Sequence, residues 1–197
     1  MMTTSIQFLL ESIRKHVTLT IEDEQKLAAV CQARTVKRKQ FFLQEGEVQR
    51  NLVFVVEGCL RSYSVDENGF EHILQFAPPG WWISDMRSML ERSPASLNID
   101  AVDDSEILLI SIPDLDRLYK DIATFDRFFR ILSERSLATH QRRLIDSLSL
   151  TAKERYTSFC QQYPSLITCL PQKYVASYIG ITPEFLSKML KEPIKKG

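Results

Sequence analysis

The sequence predicts an α+β protein in three parts: an antiparallel β-roll with flanking helices, a long helix, and a small C-terminal helix-turn-helix. Three observations predict this. Between residues 41 and 111, short runs rich in β-branched and aromatic residues are divided by Gly46, Gly58, Gly69 and Gly80, which reads as antiparallel strands joined by regular turns. From Thr124 to about Ser147 the apolar residues recur at threes and fours, the spacing of a helix face. Residues 172–191, QKYVASYIGITPEFLSKMLK, read as two short helices joined at Gly180.

The elements follow in order. Residues 4–16 and 20–33 are expected to be helical. The second opens on Thr20 as N-cap, with Glu22, Asp23 and Glu24 in its positively polarised first turn. After a basic turn at Val36 to Gln40 come the runs FFLQEGE, LVFVVEGCLRSYSV, EHILQFAPPG and SLNIDAVDDSEILLIS. Asn68-Gly69, between two of them, signals a hairpin. Pro113 to Tyr119 suits a short helix. The long helix carries Phe125, Phe128, Phe129, Leu132, Ser136, Thr139 and Arg143 on one face. The front of that face is expected to pack on the β domain and its middle on a second copy of the chain. Leu148-Ser149-Leu150 breaks the pattern before Thr151-Ala152-Lys153-Glu154, a capping-box signature. The predicted domains are therefore 1–123, the β-roll with its helices; 124–147, the connecting and dimerisation helix; and 148–197, the helix-turn-helix domain.

Composition bounds the function. The 197 residues are 44% hydrophobic and 25% charged, an ordinary globular balance. No apolar run approaches the roughly 18 residues of a membrane span, and no secretory leader opens the chain, so a cytoplasmic protein without membrane contact is expected. Cys31, Cys59, Cys160 and Cys169 are widely spaced and suggest neither zinc nor disulfides. The total of 25 basic and 25 acidic residues conceals an asymmetry: from Thr124 onward there are twelve Lys/Arg against six Asp/Glu, leaving 13 against 19 before it. The basic half is the one that would attract phosphate.

The C-terminal motif is read from packing. Val175, Ile179, Ile181, Leu186 and Met189 are apolar where two steeply crossing helices bury a seam, and Ala176 is small where their backbones approach. Gly180 can take the positive φ of the bend, Thr182 can cap the second helix, and Pro183 fits its first turn. Glu184, Ser187, Lys188 and Lys191 then share the outward face, which suits a major groove. The candidate DNA-binding residues are Gln172, Lys173, Thr182, Pro183, Glu184, Ser187, Lys188 and Lys191. Lys173 and Lys191, with Lys195 and Lys196, suit phosphate contacts, and Glu184 can accept from cytosine N4.

A β-roll with Gly46-Glu47, Val56-Glu57-Gly58, Asn68-Gly69 and Gly80, then a long helix, the LSLTAKERY segment from Leu148 to Tyr156, and the helix-turn-helix, resembles the Crp/Fnr family of bacterial transcription regulators over nearly the whole chain. The resemblance implies a cyclic nucleotide-binding-like roll and a homodimer placing two recognition helices in successive major grooves about 34 Å apart. It also implies double-stranded DNA and RNA polymerase as partners, and a small-molecule effector. Members that bind cyclic AMP use a Gly-Glu…Arg-Ser cassette. Here the matching positions read Ser84-Asp85 and Ala95-Ser96, so the cation for the cyclic phosphate is missing. Losing such a partner costs several kcal/mol, on the order of a broken buried ion pair. Arg87 and Arg92 would have to reach in from elsewhere. Trp82, Ser84, Asp85, Ala95 and Ser96 are the candidate effector pocket, without response to cyclic AMP; Trp81 and Trp82 either line such a pocket or fill the core. An iron-sulfur sensor of this type needs an N-terminal cysteine cluster, where only Cys31 stands, and no haem-binding site is evident at His16, His72 or His140. No cofactor is expected. The recognition helix has Pro183 where well-known members place an Arg, so a different operator is expected. Few residues follow it in the sequence, and no wing hairpin is expected.

Two other readings stay open at this level. The roll could sense a ligand while the C-terminal helices contact a protein instead of DNA. A metal-dependent enzyme on a similar β fold would want two or three His with a carboxylate, and only His72 lies in the β region; no nucleophile-base pair or phosphate-cradling glycine loop is evident.

Overall fold

Within residues 2–191, which the computed structural model describes, eight strands form two antiparallel sheets. They are β1 (Gln32–Val36), β2 (Phe41–Leu43), β3 (Asn51–Glu57), β4 (Leu60–Val65), β5 (Glu71–Ala77), β6 (Trp82–Ile83), β7 (Asn98–Ala101) and β8 (Ser105–Ser111). One sheet has the order β1-β8-β3-β6 and the other β2-β7-β4-β5. Side chains alternate between faces along each strand, and both faces are used. Val53 and Val55 of β3 join Ile107 and Leu109 of β8 in the cluster that also holds Leu60, Ala77 and Ile99 of the second sheet. Leu52, Phe54, Leu108 and Ile110 point the other way, into a cluster with the helices. Burial on both faces explains why β3 and β8 read as near-continuous apolar runs.

The first sheet is covered by α1 (Met2–Arg14), α2 (Ile21–Val30), α4 (Ile112–Asp121) and the front of α5 (Phe125–Ser149). Thr20 caps α2, as the sequence predicts, and completes a capping box with Asp23. The second sheet is covered by the C-terminal elements α6 (Ala152–Gln162), α7 (Gln172–Ile179) and α8 (Pro183–Lys191). Cys59, Tyr63, Ile73 and Phe76 of the roll share one cluster with Phe159, Tyr163, Val175, Tyr178 and Leu186. Phe76 is fully buried, and its burial by itself is worth about 1.5 to 3 kcal/mol. None of the described helices is long and apolar enough to cross a membrane.

Three expectations change. The second helix stops at Val30 and Gln32–Val36 is a strand instead, pairing Gln32 with Leu109 through Val36 with Ser105. Four of its five side chains are exposed, so no alternation marks it; backbone pairing to β8 decides it. A short helix, α3 (Met86–Glu91), forms where none was expected, capped by Asp85. The α5 face also turns out differently. Arg143 points inward to β5 and α7, while Leu137, Leu144, Ile145 and Leu148 are the exposed large apolar residues of α5.

Candidate nucleic-acid interface

α7 begins after Pro171 and ends at Gly180, whose φ of +72° closes it in the left-handed conformation. Ile181 N–H donates back to the Ala176 carbonyl at 3.0 Å, completing the tight turn. Thr182 then accepts from Phe185 N–H at 3.2 Å, capping α8 with Pro183 in its first turn. Val175, Ala176, Ile179 and Leu186 are buried in the seam, with Ile181 and Met189 half-buried beside them. Glu184, Lys188 and Lys191 are exposed and Ser187 is half-buried on the outward face; Gln172, Lys173, Thr182 and Pro183 are exposed at the open ends of the two helices. Of the eight residues named from the sequence, seven are exposed and Ser187 is half-buried. Lys195 and Lys196 lie outside the described residues. Phe185, 53% exposed, flanks this face, and only its position on the folded helix marks it out.

The second sheet holds the motif from beneath. Ser177 accepts from Ile73 N–H at 3.0 Å and donates to the Glu71 carbonyl at 2.5 Å, so α7 is hydrogen-bonded to the open edge of β5. Arg61, 3% exposed, forms a bidentate pair with Asp100 at 2.7 and 2.8 Å and reaches Glu71. Its charge lies 4.1 Å from the Tyr63 ring and 4.0 Å from that of Tyr174 on α7. Burial opposes that charge, but hydrogen bonds to Asp100 and Glu71 outweigh it and hold the guanidinium above its ordinary pKa. Sequence reading missed Arg61, Tyr174 and Ser177. A lone arginine inside an apolar strand was the available signal, because such a residue requires partners.

The candidate effector residues separate into different settings. Asp85 is buried, and one carboxylate oxygen accepts from Ser88 N–H at 2.9 Å. The other accepts from Ser96 N–H at 2.9 Å, Leu97 N–H at 3.1 Å and Ser96 Oγ at 3.4 Å. Asp85 and Ser96 therefore meet, as parts of one hydrogen-bonded knot. Ala95 is buried and bound through its backbone to Gly46 and Glu47, and Ser84 is half-buried next to Asp85. Trp82 instead packs 5.0 Å from Phe54, with its ring tilted, and edge-on 5.4 Å from Phe129, in the cluster beneath α5, and its Nε1 is buried with no partner among the described residues. Trp81 packs 5.6 Å from Tyr163 of α6's end. Arg87 lies 4.0 Å from Glu91, and Arg92 3.5 Å from Asp116. Cys31 and Cys59 are both pushed up to about 12 by burial, which leaves neither as a reactive thiolate.

Residues 33–121 match the cyclic nucleotide-binding domain family. The chain is 23% identical over 151 residues to the transcriptional regulatory protein btr of Bordetella pertussis, a match covering 71% of this chain and 62% of that protein. It is 21% identical over 185 residues to the transcriptional activator protein anr of Pseudomonas aeruginosa, covering 88% of this chain and 75% of the relative. Its fold superposes, with a TM-score of 0.70 and 17% identity, on a structure from Eubacterium rectale assigned to the Crp/Fnr family of transcriptional regulators, over 88% of this chain and 82% of that one. The sequence and fold matches agree with the resemblance: residues 33–121 match the cyclic nucleotide-binding domain family, and the chain is similar in sequence to transcription regulators and in fold to a structure of the Crp/Fnr type.

Proposed function

We propose that the protein is a homodimeric, sequence-specific DNA-binding transcription regulator of the cytoplasm that does not answer to cyclic AMP. It reads DNA through residues 148–197, pairs through the helix of residues 124–147, and uses residues 1–123 as an effector-binding or scaffolding domain. The observation that carries the reading is the α8 face: Glu184, Lys188 and Lys191 exposed on one side of a capped helix whose Leu186 is fully buried on the other. A helix anchored in this way can enter a major groove with its side chains free to meet bases and phosphates. Exposed Leu137, Leu144 and Leu148 follow the four-and-three spacing of a two-helix seam, with Gln141 between them, which supports pairing with a second copy. RNA polymerase is the expected further partner of a promoter-bound dimer.

The silence toward cyclic AMP rests on Asp85. Its carboxylate already takes the N–H groups of Ser96 and Leu97, donors of the kind a cyclic phosphate would need, and its own charge repels that phosphate. Ala95 supplies no cation, and Arg87 and Arg92 are engaged elsewhere. The rings of Trp82, Phe54 and Phe129 fill the space between roll and α5, which favours a scaffolding role there.

Selection from random duplex DNA tests the reading. A recurring, partly palindromic site with affinity falling steeply as salt rises is expected. Binding without sequence preference would end it, and a rise in melting temperature with millimolar cyclic AMP would end its effector half.

A further inference from the structure

We propose that Arg143 is a positioning residue that sets the angle of the reading helix, and through it the half-site spacing the dimer accepts; this rests on the DNA-reading function proposed above. Arg143 projects from the last third of α5 and touches two other elements. Its guanidinium donates to the Leu74 carbonyl and, at 3.3 Å, to the Ile73 carbonyl, both on β5. It donates at 2.9 Å to the Tyr178 carbonyl of α7 and lies 3.7 Å over the Tyr178 ring. Among the described residues it makes no ion pair.

Each partner suits a cation. β5 is an edge strand of its sheet, so its outward carbonyls have no strand to bond. Tyr178 lies in the last turn of α7, where unpaired carbonyls and the helix dipole favour positive charge. A guanidinium carries five donors in a planar fork, and here two separate nitrogens in fixed geometry serve two strand carbonyls and a helix carbonyl, whereas the three donors of an ammonium all radiate from one nitrogen on a flexible stem. Ser177, one residue before Tyr178, closes the same bridge by bonding Ile73 N–H and the Glu71 carbonyl.

The consequence is geometric. α8 leaves α7 through the tight turn at Gly180, so whatever fixes α7 fixes α8. Leu144 and Ile145, the residues that follow Arg143, belong to the exposed apolar stripe. One turn of α5 therefore carries the clamp on one side and the surface for a second copy on the other. α7 is also held on the second sheet by the cluster of Phe76, Tyr163 and Tyr178 and by the Arg61–Tyr174 contact; the clamp ties that unit to α5 itself, so that two clamped readers hold one separation.

The test measures spacing preference. Wild type and Arg143→Met are compared on duplexes carrying the selected half-sites at the preferred spacing and at spacings changed by one and two base pairs. Met keeps the apolar stem over Tyr178 and removes every donor. Two base pairs turn one half-site by about 70° relative to the other, so the wild type is expected to lose about tenfold or more in affinity. Arg143→Met is expected to keep the half-site sequence and to discriminate spacings by no more than about threefold, with faster hydrogen exchange at Ile73 N–H. A merely structural role would weaken all spacings alike, and that result, or unchanged discrimination, overturns the proposal. If Arg143→Met does not fold, Ser177→Ala decides by the same two criteria. A wild type without sequence preference overturns the DNA-reading function and this proposal with it, whereas a selective wild type with an equally spacing-selective variant overturns this proposal alone.

Discussion

The charge of Arg61, a residue of β4, lies 4.0 Å from the ring of Tyr174 on α7, so the roll and the helix-turn-helix meet across a buried cation. Asp100 is 6% exposed and bonded to that cation. Arg61→Met is expected to strand the carboxylate and to cost about 3 to 5 kcal/mol. Tyr174→Leu removes one ring and is expected to cost about 1 kcal/mol. Urea unfolding of both variants measures the contrast. Equal losses would mean that the ring, and not the ion pair, dominates.

Asp85 is the centre of the 85–97 knot. Asp85→Ala removes the cap of α3 and leaves the N–H groups of Ser96 and Leu97 without their acceptor, at an expected cost of about 2 to 3 kcal/mol. Asp85→Asn keeps one acceptor oxygen and should lose less. Thermal unfolding that ranks the two variants in the opposite order would contradict this account.

Two turn glycines with the same φ of +81° separate strain from clash. A Cβ on Gly58 would meet the Asp104 carbonyl oxygen at 2.4 Å and Ser105 Cα at 2.8 Å, whereas one on Gly69 would meet nothing within 4 Å. Gly69→Ala is expected to cost about 1 kcal/mol from backbone conformation alone. Gly58→Ala should cost about 3 kcal/mol or more, since β4 must shift away from β8's start. Comparable melting temperatures for the two variants would refute the steric difference.

Leu144 is 62% exposed in the single chain. Leu144→Glu places like charges opposite each other in a two-helix seam and is expected to shift the protein to monomer at micromolar concentration, with its circular dichroism unchanged. Sedimentation velocity reads the outcome, and an intact dimer would move the interface elsewhere.

Glu184 and Lys173 are both exposed but are expected to act differently. Glu184→Ala should relax preference at one base pair for about 1 to 3 kcal/mol, while Lys173→Ala should weaken all sequences alike and lower the salt slope by about 1. Binding curves on the selected site and its single-base variants distinguish them; a sequence-dependent effect of Lys173→Ala would reverse its assignment.

Features that a few neighbouring residues control were legible. The N-cap at Thr20, the capping box at Thr151, the glycine turns and the α7–α8 seam all formed where the residues indicated. Each depends on side chain to backbone bonding or on helical spacing within about four residues. β1 was not legible, because its exposed side chains carry no pattern and β8, more than sixty residues away, defines it. What Arg143 meets was not legible, since helical spacing tells which residues share a side and not what that side meets.

The sequence by itself determined the order of parts, the helix-turn-helix with Glu184, Ser187, Lys188 and Lys191 off its seam, and the absence of a cation at Ala95. Only the tertiary structure decided that Asp85 accepts the Ser96 and Leu97 N–H groups, that Arg61 faces Tyr174, and that Arg143 and Ser177 fasten α7 to β5. The division has a physical cause. Propensity, capping and helical periodicity act over a few residues and are written along the chain, whereas burial creates unpaired donors, acceptors and charges whose partners are chosen by proximity in the folded state.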